Sequence, residues 1–235
     1  MDLGFCPQLD AMVRSQTAIG ESGRIFQGLG ALSTVNNLMV LRSLMLQRKP
    51  VHTLEVGLSF GGSALAIVAS HRDLGHAPER QHVVLDPYQA SNWDNAGLMT
   101  IRGADLDGFV DFRQQLSANG LARLVDEGRQ FDLIFIDGSH QFDDVFVDAY
   151  FAFRLLAPNG LVLFDDSSTS HVAKVLSYVR ANWSGWTDEF DLSAFHPAGA
   201  SLRYRAGTLL GKLQLRAFRR CGTDTRAWDA PLKRF

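Results

Sequence analysis

The chain has 235 residues, 46% hydrophobic and 20% charged, with a formal net charge of -2. That suits one large globular domain with short appendages. It gives no electrostatic case for a nucleic-acid partner. No long uncharged apolar run suggests a membrane span, and Asp2 with no basic segment ahead of an apolar run argues against a signal peptide. The two cysteines, Cys6 and Cys221, lack a metal-site spacing and suggest no disulfide framework, so a reducing cytoplasm is the expectation.

In chain order, residues 1–31 read as an irregular arm or cap, with Pro7 and several glycines, and residues 32–235 as the main domain. Ser33 to Gln47 reads as a helix. Leu38, Leu41, Leu44 and Met45 recur at helical spacing, Ser33 or Thr34 can cap the start, and Pro50 stops it. Val51–Val56 reads as a buried strand, Ser63–Ser70 as a helix and Gln81–Asp86 as a strand. Residues 92–104 read as helical, Phe109–Phe112 as a short strand and Leu116–Glu127 as a helix. Phe131–Asp137 is the strongest strand signal. The helix Val145–Leu156, the strand Leu161–Phe164 and the helix His171–Ala181 follow.

Apolar strands alternating with helices predict a parallel sheet covered on both faces, a doubly wound α/β fold. Beyond Trp183, "TDEFDLS" and "LQLRAFRR" alternate apolar and polar residues, and each suits an antiparallel edge strand. Basic residues gather late in the chain, at Arg216, Arg219, Arg220, Arg226, Lys233 and Arg234, and read as a solvated tail.

"TLEVGLSFGGSALAI" carries a strand into Gly57, Ser59, Gly61 and Gly62, then into a helix. A turn of small residues ahead of a helix N-terminus can hold a nucleotide or an amino-acid carboxylate, or serve only as a tight turn. It is neither a P-loop nor a clean G-x-G-x-x-G, because Ser59 holds the second glycine position. Asp86, ending the next strand, is placed to reach the ribose of a cofactor lying across the strand ends. NAD and S-adenosylmethionine both have that ribose. Glu55 favours the second, because an acid beside the turn repels a pyrophosphate and suits a cationic methionyl group.

These segments resemble the class I S-adenosylmethionine-dependent methyltransferases. "LEVGLSFGGS" is similar to the family's E-x-G-x-x-x-G motif and "VVLDP" to its acidic second strand. "FDLIFIDGSH" is similar to the fourth strand, and "LLAPNGLVLFDD" to the fifth. The likeness spans roughly Leu32 to Ser168. Its nearest flavour is the small-molecule O-methyltransferase group, which includes catechol-type and macrolide-sugar enzymes and proteins labelled cephalosporin hydroxylases. The resemblance implies a Rossmann-like sheet of seven strands, the last antiparallel, with "LQLRAFRR" as candidate. It implies that Glu55, Gly57 and Ser63 lie near the methionyl part of the cofactor, Asp86 near the ribose and, loosely, Ser117 near adenine. Ser59 departs from the glycine many members carry there.

Asp137 ends one predicted strand, and Asp165 and Asp166 end the next. Such ends converge beside the ligand in an open parallel sheet. Three unpaired carboxylates together are costly, and a divalent cation removes that cost; hard oxygen donors suit Mg²⁺. A bound Mg²⁺ would hold a substrate hydroxyl and lower its pKa. The plainer alternative is that Asp165 and Asp166 cap a loop and Asp137 only orients the cofactor. His140, in I-D-G-S-H, is a candidate general base. Asp143 and Asp144 read as helix-start residues.

"HRDL" at His71–Leu74 is similar to a kinase catalytic loop, but the companion kinase motifs are missing. His82, His171 and His196 read as packing or surface residues. Phe26, Tyr88, Trp93, Phe142 and Trp228 suit an acceptor pocket but are each more simply core or surface.

The expectation is a Mg²⁺-assisted S-adenosylmethionine-dependent O-methyltransferase acting on a small hydroxylated molecule, with homo-oligomerisation left open. The alternatives are a metal-independent methyltransferase with His140 as sole base, an NAD(P)-dependent oxidoreductase, and a cofactor-binding subunit without catalysis.

Overall fold

The computed structural model describes residues 3–197, 206–207 and 213–235. Helix α1 (Pro7–Ser15) leads into a small hairpin of β1 (Thr17–Ile19) and β2 (Ile25–Gln27). Then come α2 (Val35–Arg48), β3 (Thr53–Val56), α3 (Gly62–Asp73), β4 (His82–Leu85), α4 (Ala96–Gly103), β5 (Val110–Arg113) and α5 (Ser117–Asp126). The chain continues through β6 (Phe131–Ile136), α6 (Phe142–Leu155), β7 (Leu156–Phe164), α7 (Ser170–Asn182), β8 (Thr187–Phe190) and β9 (Arg216–Arg220).

The large sheet has seven strands in the order β5-β4-β3-β6-β7-β9-β8. Strands β3 to β7 are parallel, and β9 is antiparallel to both its neighbours. This is the Rossmann-like α/β architecture. The winding starts at β3, moves out to β5, then returns to β6 on the other side. The switch between β3 and β6 opens a crevice at their carboxyl ends, where such sheets bind ligands.

Both faces of the sheet are covered, which is why its strands are apolar throughout. Leu54, Val56, Ile134 and Ile136 pack with α5, α6 and α7. Leu133, Phe135 and Leu163 pack on the other face with Leu41, Leu44 and Met45 of α2 and Ile67 of α3. No helix among the described residues is long and apolar enough to cross a membrane.

Three sequence expectations are corrected. The first thirty-odd residues are not irregular: Pro7 opens a helix, a position that suits its missing N–H, and Leu9 and Met12 are buried against α3. "TDEFDLS" does lie at the sheet edge, as β8, but runs with the parallel strands, while "LQLRAFRR" supplies β9, which is interior. The late arginines are not all a solvated tail. Arg219 pairs with Asp188 at 2.5 Å, and Arg216 with Glu189 at 2.6 Å, both across the β8–β9 ladder.

Candidate active site

The glycine turn is built from left-handed backbone, with φ of +91° at Gly57, +47° at Ser59 and +82° at Gly61. A Cβ on Gly57 would lie 2.2 Å from the carbonyl oxygen of Asp137, so the ends of β3 and β6 touch there. Gly61 precedes α3 without a side-chain cap, leaving the first N–H groups of that helix available to a ligand. Asp86 holds the turn in shape. Its Oδ2 accepts from the N–H of Leu58 at 3.0 Å, of Ser59 at 3.1 Å and from Gln89 Nε2 at 3.0 Å, and its Oδ1 accepts from Tyr88 N–H at 2.7 Å.

Glu55 is wholly buried on the α3 side of β3. The Ser63 hydroxyl donates to its Oε1, and His82 Nε2 lies 2.9 Å from its Oε2. The turn thus brings Glu55, Gly57, Ser59, Gly61, Ser63 and Asp86 together. His82 was missed as part of this group. The available signal was a histidine opening an otherwise apolar strand whose neighbour carries the buried acid.

The second group sits beside it. Asp137 N–H donates to Val56 O at 2.9 Å and Asp165 N–H to Ile136 O at 3.0 Å, so both aspartates continue the ladder into the crevice. Helix α2 roofs them. Thr34, not Ser33, caps that helix, accepting from Asn37 N–H. The Ser33 hydroxyl instead reaches Asp137 Oδ2 at 3.0 Å and Asp165 Oδ2 at 3.1 Å. Asn37 Nδ2 donates to Asp165 Oδ1 at 2.8 Å. Asn37 was missed: it extends the stripe of Leu41 and Leu44 by one turn, but an amide at that position does not say which strand end it meets.

Asp166 adopts a left-handed backbone (φ +48°). Its Oδ2 lies 2.9 Å from His140 Nε2. One ligand atom each of Asp137, His140 and Asp166 fall within 4.8 Å of one another. Asp165 is turned aside from this trio, its oxygens engaged by Asn37, Ser33 and the N–H of Asp166. Burial pushes Asp137 well above the usual carboxylate range, Asp165's charge pushes further, and the Ser33 hydroxyl opposes both. Burial likewise raises Asp165 to about 6, against the Asp166 N–H. Asp143 and Asp144 fall in the first turn of α6, as helix-start acids should. Ser117 stands apart: it opens α5, two strands from the turn, and its hydroxyl acts on the buried Asp148 of α6.

Residues 54–167 match the family model described as a methyltransferase domain. The sheet order with a reversed β9 is the arrangement that the resemblance to class I methyltransferases implied. No curated protein sequence matches the chain. Solved structures share the fold at low identity. An O-methyltransferase from Streptomyces achromogenes involved in tomaymycin synthesis, in complex with S-adenosylmethionine, is 13% identical with a TM-score of 0.64, covering 95% of this chain and 91% of its own. A methyltransferase from Podospora anserina bound to S-adenosylhomocysteine is 18% identical with a TM-score of 0.59, covering 94% and 88%. An O-methyltransferase from Bacillus cereus, also with S-adenosylhomocysteine, is 17% identical with a TM-score of 0.57, covering 68% and 75%. The glycine turn and the acid–histidine group line one continuous crevice edge, joined where Gly57 meets Asp137.

Proposed function

We propose that the protein is an S-adenosylmethionine-dependent O-methyltransferase acting on a hydroxyl of a small molecule. The observation that carries this reading is the meeting of Asp137, His140 and Asp166 at the carboxyl ends of β6 and β7, directly beside the glycine turn. When bound, S-adenosylmethionine supplies an electrophilic methyl on a sulfonium. The turn residues Gly57, Ser59 and Gly61 would hold it by backbone, Glu55 and Ser63 would meet its cationic methionyl part, and Asp86 its ribose. Ser117 is kept as a loose candidate near adenine.

His140 takes the proton of the acceptor hydroxyl, and Asp166 fixes the imidazole and stabilises the imidazolium that forms. Ser33 and Asn37 hold Asp165 in place beneath α2. The donor set also fits a divalent cation, since hard carboxylate oxygens crowd together with raised pKa values. The sequence alone points to Asp137, Asp165 and Asp166 as the Mg²⁺ ligands. With the Asp165 oxygens engaged by Ser33, Asn37 and the Asp166 N–H, we propose that Asp137, Asp166 and His140 would hold the ion and that Asp165 would back them, the ion favouring the ionised form of the acceptor hydroxyl. The His140–Asp166 pair favours a second reading, a metal-independent methyltransferase, because that dyad is complete without a cation. Residues 1–31 are proposed as an arm or cap of the 32–235 domain, a reading supported by α1 packing on α3 and β1 on α4, and the cytoplasm is its proposed setting.

Calorimetry with S-adenosylhomocysteine and with NADH, each with and without Mg²⁺, tests the reading. Binding of S-adenosylhomocysteine alone supports it, and a Mg²⁺ response separates the two versions. Tight NADH binding with no response to S-adenosylhomocysteine would overturn both.

A further inference from the structure

A chain of buried polar groups leaves Glu55 on the side away from the crevice. His82 Nε2 is 2.9 Å from Glu55 Oε2, and His82 Nδ1 is 3.0 Å from Thr53 Oγ1. Thr53 Oγ1 is 2.9 Å from His71 Nε2, and His71 Nδ1 is 2.8 Å from His76 Nδ1. Glu55, His82, Thr53 and His71 are wholly buried, and His76 is half-buried. Thr53 and His82 are register partners opening β3 and β4, so the path runs back toward the amino ends of the strands.

Every link can donate in the same direction. With all three histidines neutral, His76 donates to His71, His71 to Thr53, Thr53 to His82 and His82 to Glu55. A proton arriving from solvent at His76 Nε2 reverses the first three links. The Nδ1 proton of His76 passes to His71 Nδ1, the Nε2 proton of His71 to Thr53, and the Thr53 hydroxyl proton to His82 Nδ1. His76 ends neutral, and His82 ends as an imidazolium against Glu55. Burial first, then the charges of His82, His76 and His52, lower His71 to about 3, so it carries protons without storing one.

A carboxylate removed from water needs a counter-charge. Around Glu55, α3 offers the neutral hydroxyl of Ser63, β4 offers His82, and Asp137 beyond β6 is another acid. We propose that Glu55, His82, Thr53, His71 and His76 form a proton relay, in which His82 holds a proton while the cofactor pocket is empty and releases it through His76 when a cationic ligand covers Glu55. His82 is then a positioning residue that keeps Glu55 charged and aimed. This rests on the proposed role of Glu55 toward the cationic methionyl group.

The test is calorimetry of S-adenosylhomocysteine binding in buffers of different ionisation enthalpy, for the wild type, Thr53→Val and Thr53→Ser. The wild type should release close to one proton per ligand bound, and its affinity should fall by up to about tenfold per pH unit on acidification. Thr53→Val keeps the shape but removes the acceptor that His82 Nδ1–H needs when both ring nitrogens carry protons. The ligand-free protein should then no longer store that proton, so proton release should vanish and the pH profile flatten; Thr53→Ser should restore both. Unchanged proton release in Thr53→Val would overturn the relay. Ring ¹⁵N spectra of the ligand-free wild type give an independent reading, with His82 carrying both ring protons on the acid side of neutrality and His71 one. A His82 singly protonated throughout would overturn the relay even if S-adenosylhomocysteine binds. No binding with His82 doubly protonated would instead overturn the cofactor assignment and leave the relay standing.

Discussion

Replacing Asp148 by Asn should stabilise the protein on the alkaline side of neutrality. Asp148 lies on α6 with 1% of its surface exposed, and neither carboxylate oxygen has a hydrogen-bond partner of good geometry among the described residues. Burial raises its carboxyl from the ordinary 3.8 to about 7, with the Ser117 hydroxyl opposing and the Asp144 charge adding. The unfolded chain ionises this group near its ordinary value. Between the two values the folded form holds a proton that the unfolded form has lost. Stability from this group is therefore full below about pH 4 and is lost as pH rises to about 7. About three pH decades at about 1.4 kcal/mol each make the total loss about 4 kcal/mol. Asn has nearly the same shape and no charge to bury. Urea unfolding of both proteins at about pH 5 and about pH 8 should show the variant gaining about 3 kcal/mol on the wild type between the two. A stability difference that does not change with pH would refute the reasoning.

Gly57→Ala should destabilise by about 3 kcal/mol or more, since it adds left-handed strain and drives a Cβ into the Asp137 backbone; denaturant midpoints check this. Asn37→Ala removes a buried donor from Asp165 and should cost about 1.5–3 kcal/mol, read by thermal or urea unfolding. His140→Ala should lower kcat by about 10²–10⁴-fold while S-adenosylhomocysteine binding is kept. Asp165→Asn should likewise lose turnover with cofactor binding intact, and full turnover in both variants would remove their assigned roles.

The fold was legible because each parallel strand is buried on both faces and therefore written as an apolar run. The placement of β8 and β9 was not. "TDEFDLS" and "LQLRAFRR" carry the same alternation, and nothing local says which pairs with β7. The helix at Pro7 hid behind glycines that belong to the following hairpin. Within the site, the turn and the strand-end acids announced themselves by position after a strand. Ser33 and Asn37 did not, because their role depends on α2 crossing above strands more than a hundred residues away in sequence. His140 was readable, but its partner was not: Asp166 comes from the end of β7 and meets it only through the pairing of β6 with β7.

The interior position of β9 bears on how the chain assembles during synthesis. Leu161–Leu163 of β7 pair with residues 217–219, and among the described residues β8 has no neighbour in the sheet other than β9. Until that late segment emerges, the β7 edge stays an open, fully apolar template of the kind that recruits stray strands. Phe218 then closes it, packing edge-on against Phe153 and Phe164, while the flanking arginines latch onto the acids of β8. The last of the described strands is the one that locks the sheet, so slow or interrupted translation near residue 220 would leave the parallel strands beside an aggregation-prone seam.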